Sequence, residues 1–75
     1  MSTAVTSFST AFIGAGNMAF SMIGGLIDAG TDPALLRASD RSEAQLQRLR
    51  ELGVCVLDTE TQRVARDADV VVLAV

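Results

Sequence analysis

Apolar positions along this chain switch between short unbroken runs and longer stretches in which they recur every three or four residues. Thr10–Ile13, with Phe8 at its earliest start, is a β-branched and aromatic run that predicts a first strand. Ala19, Met22, Ile23, Leu26 and Ile27 then follow the i, i+3, i+4, i+7 spacing of one buried helix face, predicting a first helix over residues 17–29. Gly30 suits its C′ position, and Thr31-Asp32-Pro33 turns the chain because proline cannot continue a helix. Residues 35–39 read as a short second strand. Ser42-Glu43-Ala44-Gln45 forms a capping box in which Ser42 caps a second helix and Gln45 reaches back to it. That helix carries Leu46, Leu49 and Leu52 inside, sets its arginines, Gln47 and Glu51 on a solvated face, and stops at Gly53. Residues 54–57 are a fully apolar third strand. A short polar helix between Thr59 and Asp67 offers Val64, Ala65 and Ala68 inward. The unalternating run at residues 69–75 reads as a central parallel strand buried on both faces.

Strands and helices thus alternate βαβαβαβ, which with right-handed crossovers gives an α/β fold with a Rossmann-like parallel sheet. Residues 1–9, rich in Ser and Thr, are expected to be a flexible tail, and residues 10–75 a dinucleotide-binding domain. A six-stranded dinucleotide fold has a second half beyond four strands. The 75 residues are therefore expected to be an incomplete N-terminal part of a larger two-domain enzyme.

The chemistry centres on Phe12-Ile13-Gly14-Ala15-Gly16-Asn17-Met18-Ala19, a glycine turn between the first strand and the first helix. Gly14 makes the tight turn, Gly16 leaves no Cβ in the path of a pyrophosphate, and Ala19 stands where the third residue of G-x-G-x-x-G/A lets the helix pack closely on the strand. The free N–H groups of the first helical turn, with the helix dipole behind them, favour phosphate. Asp40, at the end of the second strand and about 20 residues further on, fits the ribose-binding position. Gly24 and Gly25 weaken the helix by up to about 1 kcal/mol each relative to Ala, which marks them as close-packing positions against a sheet or a partner.

Composition narrows the alternatives. The stretch from Ala11 to Ile27 is uncharged, but it is short for a membrane span, contains four glycines and Asn17, and has no basic flank. A net charge of −3 without a Lys/Arg cluster argues against a nucleic-acid surface. The chain has no His, which removes His-based metal sites and triads, so no metal and no catalytic side chain are expected. Cys55, the single cysteine, lies in an apolar run and is expected to be a small buried core residue. The start carries no basic and apolar signal-peptide pattern, so a cytoplasmic protein is expected.

Together, Gly14-Ala15-Gly16-Asn17-Met18-Ala19, Ile23-Gly24-Gly25-Leu26-Ile27 with Gly30, Ala38-Ser39-Asp40, and the run from Ala68 to Val75 resemble the N-terminal cofactor domain of bacterial pyrroline-5-carboxylate reductases. The resemblance implies NAD(P)H-dependent reduction of a small cyclic imine, 1-pyrroline-5-carboxylate, to L-proline. It also implies a substrate pocket and a homo-oligomer contact in a helical C-terminal domain, so the 75 residues alone are expected to be inactive. By position, residues 14–19 match the pyrophosphate turn, Ser39, Asp40 and Arg41 the adenosine-ribose end, and Ala74 and Val75 the strand end beside the cofactor. Thr61 departs from the family, many members of which have a cofactor-contacting Asn there. Two other readings stand beside this one: a dehydrogenase of the β-hydroxyacid type, in which Gly usually replaces Ala19, and a non-catalytic dinucleotide-sensing module.

Asp40 alone favours NAD, because an acidic residue there accepts from the ribose 2′-OH and repels a 2′-phosphate. Arg41 and Ser42 favour NADP, through a guanidinium that can grip phosphate and a donor at a helix N-terminus. Both cofactors are expected to be accepted, NADPH in preference to NADH, with Asp40 turning towards solvent when a 2′-phosphate is present.

Overall fold

A computed structural model describes residues 8–74. Four strands, β1 (Thr10–Ile13), β2 (Leu36–Ser39), β3 (Val56–Asp58) and β4 (Val70–Leu73), alternate with three α-helices, α1 (Asn17–Asp28), α2 (Glu43–Glu51) and α3 (Thr61–Ala65). All neighbours pair in parallel in the order β3-β2-β1-β4. Chain order reverses between β1 and β4, and in sheets of this kind ligands bind at the carboxyl ends of the strands near such a reversal.

Successive side chains of a strand point to opposite faces, so the register assigns each face a set of residues. Phe12, Leu36 and Ala38 share one face and join Ala15, Ala19, Ile23, Leu46, Leu49, Val54 and Ala74 in the main core beneath α1 and α2. Ala11, Arg37 and Ser39 share the other, which α3 covers with buried Val64. The Arg37 guanidinium donates to the carbonyls of Arg66 (2.7 Å) and Val64 (3.4 Å), and so holds down the C-terminal end of α3. Fully burying a Leu, Ile or Phe side chain is worth about 1.5–3 kcal/mol, so Phe12, Ile23, Leu36, Leu46 and Leu49 dominate the cohesion of this small core.

Both long helices end as their sequences predict. Gly30 and Gly53, each at positive φ, close them with paired bonds: Gly30 to Ile27 and Thr31 to Leu26, then Gly53 to Arg50 and Val54 to Leu49. Ser42 Oγ caps α2 by accepting from the Gln45 N–H at 3.3 Å. The reciprocal half of the capping box is not made. Ser42 N–H donates to Asp40 Oδ1 instead (2.8 Å), and Gln45 Oε1 accepts from Arg48.

Several expectations need correction. Cys55 is exposed, because it precedes the third strand, an edge strand that begins at Val56, two residues later than expected, and Val54 alone of the run is buried. Among the described residues strand β4 is not covered on both faces: Val71 and Leu73 are 48% and 71% exposed on the α3 side, since five-residue α3 packs over β1, β2 and β3. A Cβ on Gly24 or Gly25 would meet nothing within 4 Å, so neither packs closely against this sheet. Met22 is 40% exposed, outside the face expected for α1. Nor is Arg48 merely solvated: it lies 4.3 Å over the Phe20 ring and donates to Asn17 Oδ1 at 3.2 Å, joining α2 to α1.

Residues 1–7 of the expected tail, and Val75, lie outside the described residues. Ser9 is bonded to the sheet: its N–H and hydroxyl donate to Asp69 Oδ2 (2.9 and 3.2 Å), and its carbonyl accepts from the Asp69 and Val70 N–H groups.

Candidate functional site

Strand β1 delivers the chain directly into the glycine turn. Gly14 has φ +106°, a conformation side-chain-bearing residues rarely adopt, and its N–H donates to the Ser39 carbonyl at 2.8 Å. Ala15 is buried, and its N–H donates to Asp40 Oδ2, also at 2.8 Å. Gly16 is the N-cap of α1 with extended backbone (φ −76°, ψ −162°) and no side-chain cap. The first bond of the helix runs from the Phe20 N–H to the Gly16 carbonyl, so the N–H groups of Asn17, Met18 and Ala19 precede the ladder. No acidic residue sits in that first turn, and an added Cβ at Gly16 would meet no protein atom within 4 Å. An uncapped helix start with open space before it is the arrangement that suits a phosphate.

An open cleft of about 410 Å³ lies along the carboxyl ends of β1, β2 and β3, lined by Ile13, Gly14, Ser39, Asp40, Arg41, Thr59 and Thr61. Ser39 is 2% exposed, and its hydroxyl pairs with Thr61 Oγ1 at 3.3 Å. The Asp40 carboxylate bridges two backbone segments, Ala15 on one oxygen and Ser42 on the other, while the Asp40 N–H donates to the Asp58 carbonyl at 3.3 Å. The Ser42 N–H, then that of Ala15, holds the Asp40 carboxyl below the ordinary aspartate range; partial burial opposes them and the Arg41 N–H adds to them. Arg41 is exposed. The ion pair among the described residues, Arg63 with Asp58 at 3.6 Å, leaves it unengaged.

Of the residues singled out from sequence, Gly14, Ser39, Asp40 and Arg41 line one cleft, and Ala15 and Gly16 complete the turn at its edge. Asn17 and Met18 are exposed on the first turn of α1, Asn17 held by Arg48. Ala19 is fully buried and acts as a packing residue. Ala74 lies across β1 from this cleft, its N–H donating to the Ile13 carbonyl at 2.9 Å. Thr59 was not singled out; its one signal is a hydroxyl between the third strand and a helix start. Among the described residues no three His, Cys, Asp or Glu side chains gather as a metal site, and no helix is long and apolar enough to cross a membrane.

Known proteins are similar to this chain. The chain is 50% identical to pyrroline-5-carboxylate reductase of Pseudomonas aeruginosa over 66 residues, covering 87% of the chain and 24% of that protein. It is 37% identical over 65 residues to the enzyme of the same name from Corynebacterium melassecola, with the same coverage. A solved pyrroline-5-carboxylate reductase from Coxiella burnetii superposes with a TM-score of 0.87 at 37% identity, over 93% of this chain and 26% of that one. The chain therefore spans about a quarter of the length of these relatives. Residues 9–75 match the family model described as NADP oxidoreductase, coenzyme F420-dependent. From Ser9, where it is tied to the sheet, to the end of the last strand, this chain belongs to that family of nicotinamide-dinucleotide oxidoreductases.

Proposed function

We propose that these residues are the dinucleotide-binding part of an enzyme that reduces 1-pyrroline-5-carboxylate to L-proline with NADPH. The observation that carries the proposal is the open glycine turn beside the cleft, in a chain half identical to a reductase of that name. Gly14, Gly16, Asn17 and Met18 lie along the pyrophosphate. Ser39, Asp40 and Arg41, joined by Thr59 and Thr61, face the adenosine ribose. Ala74, which follows β4, stands towards the nicotinamide half.

The nicotinamide, once bound, supplies the hydride. The chain's own work is to fix the dinucleotide against the sheet edge and keep it in register with an imine held elsewhere in the protein. On this reading the segment needs no nucleophile or metal of its own. Arg41, without a carboxylate partner among the described residues, and the Ser42 hydroxyl are the donors suited to a 2′-phosphate, which favours NADPH over NADH. The substrate pocket and a homo-oligomer contact lie in further parts of the protein, which works in the cytoplasm.

Oxidation of NADPH by the purified full-length protein on addition of pyrroline-5-carboxylate is the test. Proline formation supports the proposal. Turnover of a 3-hydroxy acid or a deazaflavin with none of the imine overturns it, as does dinucleotide binding without any turnover.

A further inference from the structure

We propose that Asp40 is a positioning residue that clamps the glycine turn, and that it does not select between the two dinucleotides. This rests on the cofactor reading above and changes the part Asp40 plays in it. The two carboxylate oxygens are committed to different stretches of backbone: Oδ2 accepts from Ala15 and Oδ1 from Ser42, both at 2.8 Å. The turn is also held from the same strand end, where the Ser39 carbonyl accepts from Gly14 at 2.8 Å. Successive N–H groups of the turn are thus anchored on Ser39, the last residue of β2, and on Asp40, which follows it, while the N–H groups that follow, at the start of α1, remain for a ligand.

A carboxylate that swung out to a ribose hydroxyl, or into solvent to avoid a 2′-phosphate, would leave the Ala15 N–H without an acceptor beside a buried side chain. Short bonds to two N–H groups hold it inward for either dinucleotide. Asp40 therefore contributes to affinity by fixing where the turn presents its free N–H groups. Its effect is common to NADPH and NADH because the pyrophosphate is common to both.

Asp40→Asn in the full-length protein tests this. The amide can accept from one of the two N–H groups but turns its own NH₂ towards the other. Dissociation constants for NADPH and NADH should rise together, by roughly 3- to 10-fold each, with their ratio unchanged within about twofold. Arg41→Ala is the contrast, raising the constant for NADPH well above that for NADH. A shift of the ratio in Asp40→Asn by about tenfold in favour of NADPH, or no change with either cofactor, overturns the clamp. Hydrogen exchange at the Ala15 amide of the wild-type protein gives an answer even where the variant does not fold. Protection both free and with NADH bound supports the clamp, and an unprotected amide in either state refutes it. A wild-type protein that binds neither dinucleotide while protecting Ala15 overturns the cofactor reading and leaves the clamp standing.

Discussion

Replacing Gly16 with Val separates the role of the turn in binding from its role in the fold. At φ −76° and ψ −162° the backbone of residue 16 is open to any residue, and an added Cβ meets no protein atom within 4 Å. Val is a poorer N-cap than Gly by roughly 1 kcal/mol or less, and the lower entropy of the unfolded chain returns about 0.4–1 kcal/mol at a compatible site. Net stability should therefore change by less than about 1 kcal/mol, or up to about 4–8 °C in Tm for a domain of this size. The Cβ instead enters the space before the uncapped N–H groups of α1. A hydrogen bond to a charged group is worth about 1.5–3 kcal/mol, so displacing one phosphate bond raises the NADPH dissociation constant roughly 10- to 150-fold. Calorimetric titration with NADPH beside a thermal melt reads both quantities. An unchanged dissociation constant with an unchanged melt refutes the assignment of this turn to phosphate. A collapsed melt refutes the claim that the space before Gly16 is empty of protein.

Gly24→Ala should raise stability by up to about 1 kcal/mol in a urea titration, because an α1 glycine whose added Cβ touches nothing costs helix propensity without a packing return; a loss of stability would show that this surface is covered in the whole protein. The depressed Asp40 pKa gives a pH test. A carboxylate with a lowered folded pKa contributes fully above the unfolded value near 3.9, and that contribution is lost as pH falls through the lower folded value. The stability gap between wild type and Asp40→Asn should accordingly hold steady from about pH 5 to 7 and shrink below about pH 4, and a gap that persists at lower pH contradicts the charged clamp.

The element order was legible because each signal was local. Thr10–Ile13 was recovered with its bounds, and the glycines closing α1 and α2 declared their positive φ by their place after an apolar period. The glycine turn was legible for the same reason, as a compact cluster between a strand and a helix. What failed depended on neighbours distant in the chain. An apolar run does not say whether its strand is central or at an edge, so Cys55 was assigned to an interior it does not occupy, and β4 is exposed among the described residues. Arg48 carries the charge of a solvated residue, and its packing on Phe20 follows from the way α2 lies against α1. Within the site, Asp40 was found by its spacing. The direction of its carboxylate was not, because the Ala15 N–H that fixes it lies 25 residues earlier. Thr59 reads as an ordinary polar residue until β3 brings it to the cleft, and Thr61, noted for its departure from the family, turns out to pair with the Ser39 hydroxyl.

The central claim is that the glycine turn and the strand ends beside it hold a nicotinamide dinucleotide. Hydrogen–deuterium exchange of the full-length protein, with and without saturating NADPH, tests it most directly. Peptides covering residues 14–19 and 39–42 should become protected on binding, while those covering Cys55 and Val56 on the far edge strand keep their exchange rates. Unchanged exchange across residues 14–19 at saturating NADPH, or protection confined to other parts of the protein, would contradict the account.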